Sequence, residues 1–260
     1  MSKKQCLILA PTWMEAQLFL KSLTLIPVKR QTWQRQSSVS YLNFFENEFV
    51  CFVLVVTGMG KDNASKILEA ALALFDQVSD VLLVGFAGGL APHSQKGDLV
   101  FPRVIGDLDT GDTFEHLSFS PSALQNRPKT WSRLATSSYV IGDPIEKAAV
   151  YSSTGFEVVD MEASPLARLC KKKDLKFVVI RAVLDGGHDA LPDFGDSINP
   201  FGQVRISKMI SMLVRDQKMI QEMWSLRPSM MLPVAKVFTE EVERYVSQDL
   251  GYSLSSQFKK

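Results

Sequence analysis

Val55-Val56-Thr57-Gly58-Met59-Gly60-Lys61 opens the stretch on which the fold turns. A helix-spaced set follows, Ala64, Ile67, Leu68, Ala71 and Leu74, and then Asp80-Val81-Leu82-Leu83-Val84-Gly85-Phe86-Ala87-Gly88-Gly89. A short apolar run that stops at glycines reads as a strand buried on both faces. Apolar residues three and four apart read as a helix with one face on a core. Strand, helix and strand in succession argue for an α/β domain with a mostly parallel sheet.

The same pattern extends in both directions. Cys6 to Ala10 is another apolar run, ended by Pro11, and a helix from Met14 to Leu23 buries Ala16, Phe19, Leu20 and Leu23. Val39 to Phe45 and Phe49 to Val56 read as strands joined by Glu46-Asn47-Glu48. Gly97-Asp98 opens a strand through Val104. Residues 106–137, rich in Asp, Ser, Thr and Pro, read as loops, short strands and a flap. Phe156 to Val159 leads into a helix from Asp160 to Lys171, with Leu166, Leu169 and Cys170 as its apolar row. Pro165 falls near its start, where proline is tolerated. Phe177 to Leu184 reads as a central strand. From Phe201 the pattern is helical, with stripes Ile206, Met209, Ile210, Leu213 and Met230, Met231, Val234, Val237, Phe238 either side of Pro228. The expected architecture is a single α/β domain over 1–200, three-layered around a mixed, mostly parallel twisted sheet. A helical extension over 201–260 packs on it, with its methionines in core or interface contacts.

Length and composition agree with this. The chain has 260 residues, enough for one large core. Its net charge of +1 provides no field to gather nucleic acid or an anionic membrane. The apolar run after the basic N-terminus is too short for a signal-peptide core, and no stretch reaches the length of a membrane span. A cytoplasmic protein with neither nucleic-acid partner nor membrane span is expected. Cys6, Cys51 and Cys170 read as buried free thiols; no His is near in sequence to serve any of them as a base.

Three segments can carry chemistry. Glycines at strand ends let a backbone approach a ligand and supply amide donors, although turns require them too. Neither glycine segment is a P-loop or a GxGxxG fingerprint. Val158-Val159-Asp160-Met161-Glu162-Ala163 sets two carboxylates and a thioether at a strand-to-helix junction. Acidic residues there complement the helix dipole. They also suit a sugar whose cleavage develops positive charge. Asp185, closing the apolar strand from Phe177, is either a cap or a site residue. Apolar burial would raise its pKa and let it deliver a proton.

Thr57-Gly58-Met59-Gly60-Lys61, Ala87-Gly88-Gly89-Leu90-Ala91-Pro92 with Gly97-Asp98, Val159-Asp160-Met161-Glu162-Ala163 and Val179-Ile180-Arg181-Ala182-Val183-Leu184-Asp185, in this order, resemble the purine and uridine phosphorylase superfamily. Within it, the resemblance is to the methylthioadenosine/S-adenosylhomocysteine nucleosidase branch, over roughly residues 5–190. The resemblance implies cleavage of a purine-type base from ribose, in a homodimer, without cofactor or metal. It implies Asp185 as general acid at the purine N7 and Glu15 as the base that activates water. Glu162 and Asp160 would lie at the ribose hydroxyls and Met161 against the sugar. Phe86, Ala87 and Gly88 would form the glycine-rich wall, and Tyr139 and Val140 would flank the base.

Water and phosphate remain to be distinguished as nucleophile. Phosphate needs cations and donors. In the phosphorylases that the chain resembles, an Arg and a Ser occupy positions that here read Leu83 and Phe86, and an apolar pair cannot hold a dianion. Arg103 and Arg181 are the other candidate phosphate contacts, with Arg181 read as structural. The nucleosidases carry a serine where this chain has Phe86, and another before the acid where it has Leu184; that second serine orients the acid. The more apolar surroundings suit a greasier nucleoside. Asp185-Gly186-Gly187-His188-Asp189 and the Met-rich tail look more like the hopanoid-linked branch acting on an adenosyl lipid, and futalosine hydrolase is another relative. The alternatives are therefore those two nucleosidases, a phosphate-dependent phosphorylase, and an inactive nucleoside-binding protein. His188 between Asp185 and Asp189 is one imidazole in a glycine-rich stretch, too little for a metal.

Overall fold

A computed structural model describes residues 4–22, 32–46, 50–115 and 130–191. The C-terminal extension over 201–260 and its two stripes lie outside the described residues, as does Leu23. The chain runs β1 (Lys4–Ala10), α1 (Trp13–Ser22), β2 (Gln34–Gln36), β3 (Val39–Glu46), β4 (Val50–Val56), α2 (Lys61–Leu74) and β5 (Val78–Gly89). It continues through β6 (Leu99–Asp107), β7 (Thr113–Glu115), β8 (Thr130–Thr136), α3 (Pro144–Thr154), β9 (Val158–Asp160), α4 (Ala163–Lys172) and β10 (Lys176–Asp185).

Alternation within β1 explains the layering. Successive strand residues point to opposite faces. Cys6, Ile8 and Ala10 face one side, where Ala16 and Phe19 of α1 cover them. Leu7 and Leu9 face the other, where Ala64 and Leu68 of α2 and Leu166 and Leu169 of α4 complete the core. Both faces are dry, and so β1, β4, β5 and β10 read as unbroken apolar runs.

The sheet differs from the mostly parallel one expected. Among the described residues five strand pairings are parallel, β1–β4, β1–β5, β5–β10, β6–β8 and β8–β9. Five are antiparallel, β2–β3, β3–β4, β5–β9, β6–β7 and β6–β10. Helices lie in the connections of the parallel pairs β1–β4, β1–β5, β5–β10 and β8–β9, while the antiparallel pairs include the β2–β3–β4 meander at one edge and β9, which lies between β8 and β5.

Two further differences bear on the site. The glycines after Val84 continue β5 to Gly89 instead of ending it, because Gly88 is paired on both sides, with Asp185 of β10 and Val159 of β9. And α3 is a helix that apolar periodicity does not announce. Its signals are at its ends. Asp143 caps it by accepting from the amides of Ile145 and Glu146, Pro144 opens it, and Gly155 closes it at φ 70°. This is the Asp–Pro start and Gly stop of a well-capped helix.

Candidate active site

Antiparallel β9 and parallel β10 meet β5 at Gly88, so the Val159–Glu162 and Asp185 segments converge although they are distant in sequence. A cavity of about 240 Å³ opens there. Glu15, Asp160, Glu162 and Asp185 line it, with Met161 and Met59. Phe86, Ala87, Gly88 and Val159 form the sheet-side wall, and Tyr139 and Val140 stand at its mouth, 55% and 39% exposed. Every residue expected at the site therefore reaches this one cavity.

Asp185 owes its direction to a bulge. Val183 pairs with Ala87 and Asp185 with Gly88, which leaves Leu184 as the extra residue. A bulge breaks strand alternation and re-aims a side chain. Leu184 and Asp185 consequently both reach the cavity. Leu184 and Phe86 both pack against Leu18. The two departures from the nucleosidase pattern thus share a partner, Leu18, and both line the cavity.

Glu15 is held by reciprocal bonds at the start of α1. Its amide donates to Thr12 Oγ1 at 3.2 Å, and its Oε2 accepts from the Thr12 amide at 2.9 Å and hydroxyl at 2.6 Å. This is a capping box, and it fixes Glu15 at the helix terminus. Its Oε1 has a different role and accepts from the Phe86 amide at 2.9 Å. Burial pushes the Glu15 carboxyl above its ordinary value, against the opposing pull of Arg181 and the hydrogen bonds of Thr12 and Phe86.

Arg181, wholly buried, organises the second wall. Its Nη2 donates to Asp160 Oδ2 and Glu162 Oε2, both at 2.7 Å, and its Nη1 lies 3.9 Å from Glu15 Oε1. Asp160 also accepts from Thr136 Oγ1 at 2.9 Å and from the Ala163 amide that begins α4, so its carboxylate is engaged inside the protein. Glu162 accepts from the Gly60 amide at 2.9 Å. The amide donor in the first glycine segment therefore holds a carboxylate. Three carboxylates around one guanidinium leave an excess of negative charge. Burial first, then Asp160 and Glu15, raise the Glu162 carboxyl to about 7, with Arg181 and the Gly60 amide opposing.

Gly85 makes this arrangement possible. At φ +146°, a Cβ there would lie 2.3 Å from Glu15 Oε1 and 2.4 Å from Arg181 Nη1. Only glycine lets both groups approach the strand.

Periodicity and motif reading miss one buried partner. Lys147 of α3 is fully buried, and its ammonium contacts Asp185 Oδ2. Its signal is weak but present: a Lys one turn into a helix opened by Asp143-Pro144. Arg181, read as structural, is a structural residue whose partners are site carboxylates. Arg103 is exposed and away from the cavity, and Leu83 lies in the core. His188 is exposed, and no metal-ligating cluster occurs among the described residues. All three cysteines are buried and outside any disulfide. No helix among the described residues is long and apolar enough to cross a membrane.

The chain is similar to known proteins. A 5′-methylthioadenosine/S-adenosylhomocysteine nucleosidase of Marinomonas sp. (strain MWYL1) is 25% identical over 178 residues, 58% of this chain and 76% of that protein. A crystal structure of the nucleosidase of that name from Helicobacter pylori, with butyl-thio-DADMe-Immucillin-A, superposes with a TM-score of 0.67. It is 14% identical and covers 95% of this chain and 100% of its own. The native futalosine hydrolase of Helicobacter pylori strain 26695 gives a TM-score of 0.66 at 14% identity, covering 94% and 98%. The phosphorylase superfamily model matches residues 6–135 and 123–214, and by that match, with the β5–β9–β10 junction it spans, the chain belongs to the phosphorylase superfamily.

Proposed function

We propose that the chain hydrolyses the N-glycosidic bond of an adenine-type nucleoside, giving free base and a ribosyl product. The observation that carries this is the charge of the cavity wall. Glu15, Asp160, Glu162 and Asp185 line it, and among the described residues no Lys or Arg does. Arg181 and Lys147 stand behind, bonded to those carboxylates. A phosphate dianion would meet like charge and the Phe86 ring, with no donor fork to hold it. Neutral water meets no such cost. Glu15, with its carboxyl raised by burial, is suited to take the proton of that water. Asp185, likewise raised by burial, is suited to protonate the leaving base at N7. Glu162 holds ribose hydroxyls, Met161 lies against the sugar, and Tyr139 and Val140 flank the base. Asp160 acts through Arg181.

The relatives at 25% and 14% identity, named as nucleosidases and a futalosine hydrolase, support the same reaction class. The apolar Phe86 and Leu184 in the cavity lining favour a substrate less polar than methylthioadenosine, which keeps the adenosyl-lipid alternative in the same assay. The reading includes a cytoplasmic homodimer, checked by fractionation and sedimentation velocity. The deciding experiment incubates the protein with methylthioadenosine, S-adenosylhomocysteine, futalosine and long-chain adenosyl compounds, with and without phosphate. Free base in phosphate-free buffer is expected. Turnover that requires phosphate and yields ribose 1-phosphate would sink the reading.

A further inference from the structure

We infer that Lys147 is the positioning residue of Asp185: it fixes Oδ2 of the carboxylate and leaves Oδ1 to carry the proton to the leaving base. This rests on the reading of Asp185 as general acid. The resemblance implies an acid oriented by the hydroxyl of the preceding residue. Here that residue is Leu184, bulged out of register and packed on Leu18, and its side chain has no hydrogen bond to offer.

Lys147 fills the vacancy from a different element. An ammonium has three protons, and a buried one needs three acceptors. Lys147 Nζ finds them in Asp185 Oδ2, the Gly186 carbonyl at 3.0 Å and the Asp189 carbonyl at 2.7 Å. All three belong to the end of β10 and the turn after it. The Asp189 carboxylate in turn accepts from the Gly186 amide at 2.7 Å and closes that turn. The cation is therefore satisfied in one geometry, and α3, capped by Asp143 at one end and closed by Gly155 at the other, sets it.

The proton balance is simple. Asp185 gives its proton to the base as the C–N electron pair leaves with that base. Water adds to the sugar carbon and loses its proton to Glu15. The Asp185 carboxylate that forms is neutralised by Lys147. Glu15 and Asp185 then exchange protons with solvent. The charged groups acting on Asp185 are Lys147 from α3, Lys96 from the β5–β6 connection and Asp189 from the turn. Burial raises its carboxyl most, Asp189 adds to that, and the two lysines oppose it.

The acid must be protonated in the free enzyme, so kcat/KM falls as pH rises through the Asp185 pKa. Deleting the Lys147 cation raises that pKa and moves this falling limb to higher pH. A merely structural lysine would lower the rate without moving the limb. The test is the pH profile of kcat/KM for Lys147→Met, Lys147→Gln and Lys147→Arg, with far-UV circular dichroism to verify folding. For Met and Gln, the limb is expected to move up by about one to three pH units, the usual effect of a neighbouring charge. The plateau is expected to fall about 100-fold, as for a misplaced catalytic group. Arg should return the limb towards its original position. If Lys147→Met does not fold, Lys147→Gln reads out the same shift. A limb that stays in place in every folded variant, while Asp185→Asn is inactive, overturns the role of Lys147 alone. An Asp185→Asn enzyme that keeps its activity overturns the acid reading itself.

Discussion

Arg181→Met removes the one cation among Glu15, Asp160 and Glu162 and leaves the shape of the interior nearly unchanged. The guanidinium makes charge-assisted bonds to Asp160 Oδ2 at 2.7 and 3.2 Å and to Glu162 Oε2 at 2.7 Å, and it is fully buried. Removing one partner of such a set leaves uncompensated buried charge, at a cost of about 3–5 kcal/mol. For a domain of this size that corresponds to a fall in Tm of roughly 6–20 °C. The sign of its pH dependence follows from linkage. Glu162 loses the group that lowers its pKa, so the folded state binds its proton more tightly than the unfolded chain does. Stability then falls as pH rises, and the loss should be greatest above neutrality and partly relieved on acidification. The assay is thermal unfolding by circular dichroism at about pH 5.5 and about pH 8.5, beside the parent protein and Arg181→Lys. Arg181→Lys keeps the charge and loses the fork, so it should fall between the two. A drop below about 2 °C at the higher pH, or the same drop at both, would refute the reasoning.

The parent protein should show a weaker form of the same slope. With the Glu162 carboxyl raised from 4.5 to about 7, its protonation stabilises the fold below about 4.5, and that contribution is lost as pH rises towards about 7. Denaturant midpoints across that window check it; Glu162→Gln should flatten the curve. Gly85→Ala drives a Cβ to 2.3 Å from Glu15 Oε1, so it should abolish most turnover by displacing Glu15 and Arg181. Single-turnover assays on the folded variant would show whether chemistry or binding is lost. Asp143→Ala removes the cap of α3 and should cost about 1 kcal/mol, read as a lower denaturant midpoint at constant slope. Gly106→Ala puts a Cβ 2.0 Å from the Phe156 ring, and overpacking of this kind costs about 1–3 kcal/mol, measurable in the same titration.

Local chemistry was legible without coordinates. Apolar runs such as Cys6–Ala10 and Phe177–Ile180 identify strands because a strand dry on both faces is built mainly of apolar residues. The spacing of Ala64, Leu68 and Ala71 identifies a helix face because the period of an α-helix is local. Resemblance then assembled Glu15, Glu162 and Asp185, and the cavity contains all three. What stayed illegible is what depends on partners far along the chain. The Gly60 amide meets Glu162, 102 residues away, and Lys147 meets Asp185, 38 away. No periodicity encodes such a bond, because its geometry is the product of every element between. The same holds for Arg181, which in sequence is an anomalous charge in an apolar strand and in the fold is the counter-ion of three carboxylates. The continuation of β5 through its glycines is likewise tertiary, since Gly88 becomes strand only when β9 and β10 arrive on either side. The sequence alone determined which residue types stand where and most of the elements they form. The tertiary structure decided which charges share a low-dielectric interior, and that sharing sets their protonation and hence the chemistry open to them.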